Sequence, residues 1–476
     1  MLFNSLSFIL LFLPITAVAY NLIRRFSVSG SKLFMIAASA YFYVYTTYTG
    51  APVLAASCLV SYASYRAIIM SPRRRKLAMI IGVTANVILL CVLKYNHFVP
   101  IGAAYATDWL RTYGMPLAVS FFTFQQISFL VDAYKGKIER VALFDYLYYV
   151  LFFPKMIAGP ITRWQSLMPQ TNSREMIRSS MVLAGLTVIA IGLFKKVVLS
   201  GLFARYADVG YANTAALSFA EAWVTSLSYT AQIYFDFSGY SDIAIGSALL
   251  LGIRLPDNFN SPYKAVNIRD FWSRWHISLS TWLRDYVYIP LGGSRKGMPR
   301  TMANLLITFL ISGAWHGSEL NFIIWGAMHG IATIVNVLWE KAGLRMPALA
   351  GWLVTILFIN LSWIPFRADS VQSAYNIFCA MFRPDLVELR NWLYRDPYND
   401  WNWLKSVFSP NQVTTYAAMY VSVVLLFVFT VKNTAQVINS GEIGFLRTVL
   451  AGLALAASII FMFGGASAAA FIYAAF

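Results

Sequence analysis

Residues 178–199 read RSSMVLAGLTVIAIGLFKKVVL, with no charge between Arg178 and Lys195. A run of this length and hydropathy matches the ~20 apolar residues that a helix needs to cross a bilayer. Runs like it recur at 1–20, 33–49, 52–70, 77–95, 116–134, 302–314, 321–338, 350–366, 414–431 and 446–464. Apolar stretches at 142–157 and 222–251 read as spans or as re-entrant segments. None has the residue-by-residue alternation of a membrane barrel strand. The sequence therefore predicts an all-α polytopic membrane protein, one domain over 1–476, with about 11–13 membrane-embedded helices.

Composition agrees. The chain is 59% hydrophobic and 12% charged, where a soluble protein carries about 25% charged residues. Residues 1–20 resemble a signal peptide but lack a charged start and a small-residue cleavage site, so they read as a retained first span. The net charge of +17 does not point to nucleic acid in so apolar a chain. Its basic clusters, Arg24-Arg25, Arg73–Lys76 and Lys135–Arg140, follow the first, third and fifth spans. Basic loops face the cytoplasm, so the N-terminus is expected outside. Lys432, after the 414–431 span, places the C-terminus outside as well. Cys58, Cys91 and Cys379 lie in or beside apolar stretches without a CxxC, as inert thiols do.

Chemistry concentrates in residues 267–330, which hold His276, His316 and His329, three of the four histidines. A titratable ring at membrane depth is costly without a partner or a task. His316 sits in Trp315-His316-Gly317, with Gly313 a turn before it and Ser312 placed to orient the ring. Burial favours neutral imidazole, which accepts a proton at neutral pH. A satisfied core histidine is the competing reading. His329 lies 13 residues on, ~20 Å away along a continuous helix and on another face. His316-x-x-Glu319 has ligand-pair spacing, but no second pair and no HExxH accompany it, so no metal is expected.

Trp272, Trp275, Leu279, Trp282 and Tyr286 recur at helical spacing and predict one aromatic stripe over 268–288, with Arg274 and Arg284 off the stripe. Asp270 and Arg274 are placed for an i,i+4 pair. Such a helix anchors at a membrane interface or faces the phosphates of a cofactor. Gly292–Gly297 is a basic glycine turn with Met298 where a P-loop has lysine, and Arg295 and Lys296 could contact phosphate there. Asp236 and Asp242 read as structural acids of a polar interior, and Pro154, Gly159 and Pro160 break an apolar stretch.

Several motifs then coincide: FFPKMIAGPITR at 152–163, GLFKKVV at 192–198, YFDFSGYSDIAIG at 234–246, LPDNFNSPY at 255–263, RDFWSRWHISLSTWLRDYVYIPLGG at 269–293 and SGAWHG at 312–317. Together they resemble the membrane-bound O-acyltransferase family, above all the bacterial branch that acetylates alginate and peptidoglycan and D-alanylates teichoic acid. The resemblance implies a ring of helices around a central tunnel, with His316 as catalytic histidine and His276 as the upstream histidine. It implies acetyl-CoA as cytoplasmic acyl donor, with no permanently bound cofactor. It also implies a periplasmic SGNH-type partner, a polysaccharide acceptor and a place in the bacterial inner membrane. The tail FIYAAF at 471–476 resembles a family motif whose tyrosine, here Tyr473, carries the acyl group; the competing reading is an interfacial anchor. Arg274, Arg284, Arg295 and Lys296 are then the candidate cofactor-binding residues. D-alanyl transfer, and in another class a transporter or flippase, are the alternatives.

Overall fold

The computed structural model describes residues 1–95, 116–172, 174, 177–387, 389–390, 424, 433–439 and 444–463. Among the described residues every regular element is helical, as lipid requires of a chain that cannot satisfy its backbone with water. Seven helices there are long and apolar enough to cross a bilayer: Ser7–Phe26, Ala51–Met70, Arg75–Lys94, Ser179–Ala212, Leu320–Lys341, Ala348–Arg367 and Phe445–Phe463. The expected span at 414–431 lies outside the described residues, Val424 apart. The chain divides into two compact units, one of residues 1–192, 240–257 and 443–452, the other of 193–239, 258–442 and 453–476.

The first unit holds α1 (Leu13–Phe26), α2 (Val28–Thr46), α3 (Ala51–Met70), α4 (Arg75–Lys94), α5 (Val119–Tyr134) and α6 (Leu143–Leu151). Ser27 separates α1 from α2 and caps the latter, its Oγ accepting from Gly30 N–H at 2.9 Å. Small and amide side chains knit α3, α4 and α5. Ser57 Oγ donates to Gln126 Oε1 at 3.1 Å, and Asn86 Nδ2 donates to Ser61 Oγ at 2.8 Å. At Gly82 a methyl group would lie 2.7 Å from Ser64 Cβ, so only glycine permits this approach. Helices in lipid associate through such small residues and polar contacts. The expected span at 116–134 is a 16-residue helix buried on almost every side. Residues 142–157 are interrupted, α6 ending before Pro154 and a single turn, Phe153–Met156, following it. Lys155 on that turn is buried, donates to Gln125 Oε1 at 2.8 Å and sits 4.0 Å above the Tyr149 ring.

Continuing along the chain, α7 (Ser179–Leu193) runs through a π turn, Phe194–Leu199, into α8 (Ser200–Ala212), and α9 (Phe219–Leu249) follows. In the second unit Lys196 on the π turn forms a buried ion pair with Asp236 on α9, and Ser200 Oγ donates to the same carboxylate at 3.2 Å. Asp236, expected as a structural acid of a polar interior, has Lys196 as its ion-pair partner. Then come α10 (Ile268–Arg274), α11 (Ile277–Leu283), a second π turn (Arg284–Tyr288), α12 (Met298–His316), α13 (Leu320–Lys341), α14 (Ala348–Arg367), α15 (Val371–Met381) and α16 (Phe445–Phe463). α12 and α13 cross where a methyl on Gly313 would strike the Phe322 carbonyl and one on Gly326 the Phe309 carbonyl. α14 is tied to α9 by Asn360, which accepts from Thr230 Oγ1 at 2.7 Å and donates to Ser226 Oγ at 2.8 Å.

Two expectations are corrected here. Residues 268–288 are not one helix: α10 ends at Arg274, and His276 is left-handed, with φ 42° and ψ 53°. The aromatic spacing satisfied a helix, but the loop at 258–260 captures the backbone at the break. Nor do His316 and His329 share a continuous helix, because α12 stops at His316 and the chain turns back into α13.

Candidate active site

The site grows from the break between α10 and α11. Asn260 N–H donates to the Arg274 carbonyl at 2.9 Å, and Ile277 N–H donates to the Asn258 carbonyl at 3.0 Å. These two bonds clip residues 258–260 to either side of Trp275-His276. A left-handed non-glycine residue costs about 1–3 kcal/mol and persists only where its surroundings hold it. The side chain of Asn258 adds to that hold: its Oδ1 lies 3.2 Å from His276 Nδ1, 3.3 Å from Ser278 N and 2.8 Å from Ser278 Oγ. The edge-to-face ring of Phe237, 4.6 Å away, closes one side of the imidazole. His276 is buried and lies outside the seven candidate spans. Burial pushes its pKa down to about 3, so the ring is neutral at neutral pH.

Trp315 links this histidine to the next. Its ring lies 6.4 Å from His276 and 4.7 Å from His316, both in edge contact. His316 ends α12, where Gly317 N–H still reaches the Gly313 carbonyl at 3.3 Å before the chain extends. A Cβ on Gly317 would collide with the Phe322 ring. Trp325 and Phe366 meet the His316 ring edge to face at 5.0 and 5.1 Å. The site is therefore an aromatic cage holding two buried imidazoles. Ser312 Oγ, Trp325 Nε1 and Trp363 Nε1 are buried donors with no hydrogen-bond partner among the described residues. Ser312 therefore does not orient His316 as its position one turn back suggested. Buried donors beside a base suit negative charge developing on a carbonyl oxygen.

His329 also reaches this cage, its ring 4.8 Å from Trp325, which the continuous-helix geometry did not foresee. Its nitrogens are committed within the fold. Trp272 Nε1–H donates to Nδ1 at 3.2 Å, and Nε2 pairs with Ser362 Oγ at 3.1 Å. An indole N–H only donates, so Nδ1 accepts and the hydrogen sits on Nε2. The Ser362 hydroxyl passes its own hydrogen to the Ile359 carbonyl at 2.8 Å.

The four basic residues singled out for phosphate fall into two groups. Arg274 makes the expected pair with Asp270 at 2.7 Å and is half-buried. Arg284 is exposed beside Asp285 at 2.8 Å, and that carboxylate raises its pKa. Arg295 and Lys296 are exposed on a turn in which Gly292, Gly293 and Gly297 all have positive φ. Asn304 Nδ2 holds the turn through the Gly293 carbonyl at 2.9 Å. Tyr473 lies outside the described residues. The LPDNFNSPY motif carries no local signal of a task for Asn258, and the cage of Trp325, Trp363 and Phe366 is assembled only by tertiary packing.

A family model described as membrane-bound O-acyltransferase matches residues 35–366. The chain is 36% identical to the peptidoglycan O-acetyltransferase of Helicobacter pylori over 99% of its own length and 97% of that relative's. It is 37% identical to a probable alginate O-acetylase of Pseudomonas aeruginosa over 80% of this chain and 75% of that one. The teichoic acid D-alanyltransferase of Bacillus subtilis is 29% identical over 52% of this chain and 67% of its own.

Proposed function

The chain belongs to the membrane-bound O-acyltransferase family, and from that premise we propose that it moves acetyl from cytoplasmic acetyl-CoA across the bacterial inner membrane to acetylate an envelope glycan. The protein is an all-α integral membrane O-acyltransferase. The observation that carries the finer reading is the pair of buried histidines, His276 and His316, joined through Trp315 in one aromatic cage.

In this reading His316 takes the proton from an acceptor hydroxyl. The freed oxygen attacks the thioester carbonyl, and the tetrahedral intermediate collapses to an oxygen ester and a thiolate, which takes the proton held by His316 and leaves as the thiol. His276, neutral and buried, assists as a second proton acceptor. The buried indole N–H groups and Ser312 are the candidate donors for the intermediate's oxyanion. Arg295 and Lys296, both exposed, suit the phosphates of coenzyme A better than Arg274, which is paired with Asp270. The product side would involve Tyr473 or a serine on a periplasmic SGNH-type partner, both termini then facing the periplasm. An exopolysaccharide or cell-wall glycan is the acceptor class, in line with the peptidoglycan and alginate O-acetylating relatives. D-alanyl transfer rests on a relative matching only 52% of the chain and is the weaker alternative.

The test replaces His316 by Ala, confirms equal amounts in the membrane, and measures ester-linked acetate on the secreted or wall glycan. Loss of acetate supports the assignment, and undiminished acetate overturns it.

A further inference from the structure

We propose that Asn258 sets the tautomer of His276, holding the hydrogen on Nδ1 and leaving Nε2 as the proton-accepting nitrogen. The Ser278 backbone N–H can only donate, and it points at one terminal atom of the Asn258 amide, 3.3 Å away. Were the amide turned over, its NH₂ would face that N–H, donor against donor. The atom there is therefore the carbonyl oxygen. His276 Nδ1 lies 3.2 Å from the same oxygen. An oxygen of this kind only accepts, so Nδ1 carries the hydrogen, and in a neutral imidazole the other nitrogen then holds the lone pair.

The surroundings make the arrangement hard to escape. Ser278 Oγ, 2.8 Å away, is a further donor to the same oxygen. The Ile277 to Asn258 and Asn260 to Arg274 backbone bonds fix the two segments against each other. The left-handed backbone at His276 aims the ring at Asn258 rather than along a helix face. The chemistry of the residue type matters as well. A carboxylate at 258 would attract a proton to the ring, whereas an amide orients it without charging it. Around the ring the titratable neighbours are His316, beyond Trp315, and Asp236, next to Phe237 and paired with Lys196. The role given to Nε2 rests on the acyl-transfer reading above, but the tautomer itself does not.

The test uses the full chain in detergent with ¹⁵N-labelled histidine. Four histidines give four ring systems, and His276→Gln identifies the one of interest. The expected spectrum shows His276 protonated on Nδ1 at neutral pH. A ring protonated on Nε2 in the unmodified protein overturns the proposal, whatever the variants do. Asn258→Leu should lose the single tautomer and lower kcat by about 10²-fold with KM little changed, the scale of a general base made ineffective. Asn258→Asp keeps the acceptor, so it should keep the tautomer and retain activity at high pH, with an acid limb moved toward neutrality. An unchanged tautomer in Asn258→Leu overturns the assignment. Full transfer activity in His276→Gln, with the tautomer as assigned, overturns the catalytic role of His276 and leaves the role of Asn258 standing.

Discussion

His276 and His329 are both fully buried in the second unit, yet they carry their hydrogens on opposite nitrogens. At His329 an indole donor faces Nδ1 and a serine hydroxyl takes the hydrogen of Nε2, so both edges of the ring are consumed by α10 and α14. At His276 an amide oxygen faces Nδ1 instead of an indole donor. Burial does not separate a working histidine from a structural one. What separates them is the tautomer, set by an amide oxygen facing Nδ1 at His276 and by an indole donor facing Nδ1 at His329.

The largest expected effect is at His316, where Ala should lower transfer by about 10²–10⁴-fold, the range of a lost general base, with membrane levels unchanged. Next, Lys196→Met should destabilise by about 3–5 kcal/mol, because Asp236 is left charged and buried. Thermal unfolding in detergent reads this, and Lys196→Met with Asp236→Leu should recover most of it. His329→Gln should cost about 2–4 kcal/mol through lost packing and hydrogen bonds, while kcat per folded molecule is retained. His276→Gln should do the reverse. If the two variants respond alike, the distinction drawn above is empty. A pH series sharpens it further. The folded pKa of His276 is lowered from 6.5 to about 3, so below 6.5 the unfolded chain takes up the proton first. Stability from this group is complete above 6.5 and is lost as pH falls toward about 3. The acid slope of the melting temperature should therefore shrink in His276→Gln. The smallest effect belongs to Arg269→Ala, which removes an exposed pair with Glu340 and should change stability by less than about 1 kcal/mol.

Much of this was legible in the chain. Long apolar runs announce helices because the bilayer permits little else, and the tryptophan and glycine around His316 mark it before any coordinates. The break at Trp275-His276 was not legible, since Trp272, Trp275, Leu279, Trp282 and Tyr286 obey helical spacing. What overrides the spacing is hydrogen bonding from residues 258–260, which are distant enough in sequence to leave no local trace. A straight helix through 316–329 turns His329 away from His316, whereas the turn after Gly317 brings its helix back alongside. α5 was read as a span from its apolar length, yet its hydroxyl and amide side chains are buried within the first unit.

The left-handed backbone at His276 inverts an ordinary rule of mutagenesis. Glycine usually weakens a structured segment, but at a positive φ it relieves the steric penalty that a side chain imposes. His276→Gly should therefore keep its surroundings well folded while leaving an imidazole-sized hole beside Asn258 and Phe237. Free imidazole supplied in solution has the shape and hydrogen-bonding pattern to occupy that hole, which makes this position suited to chemical rescue.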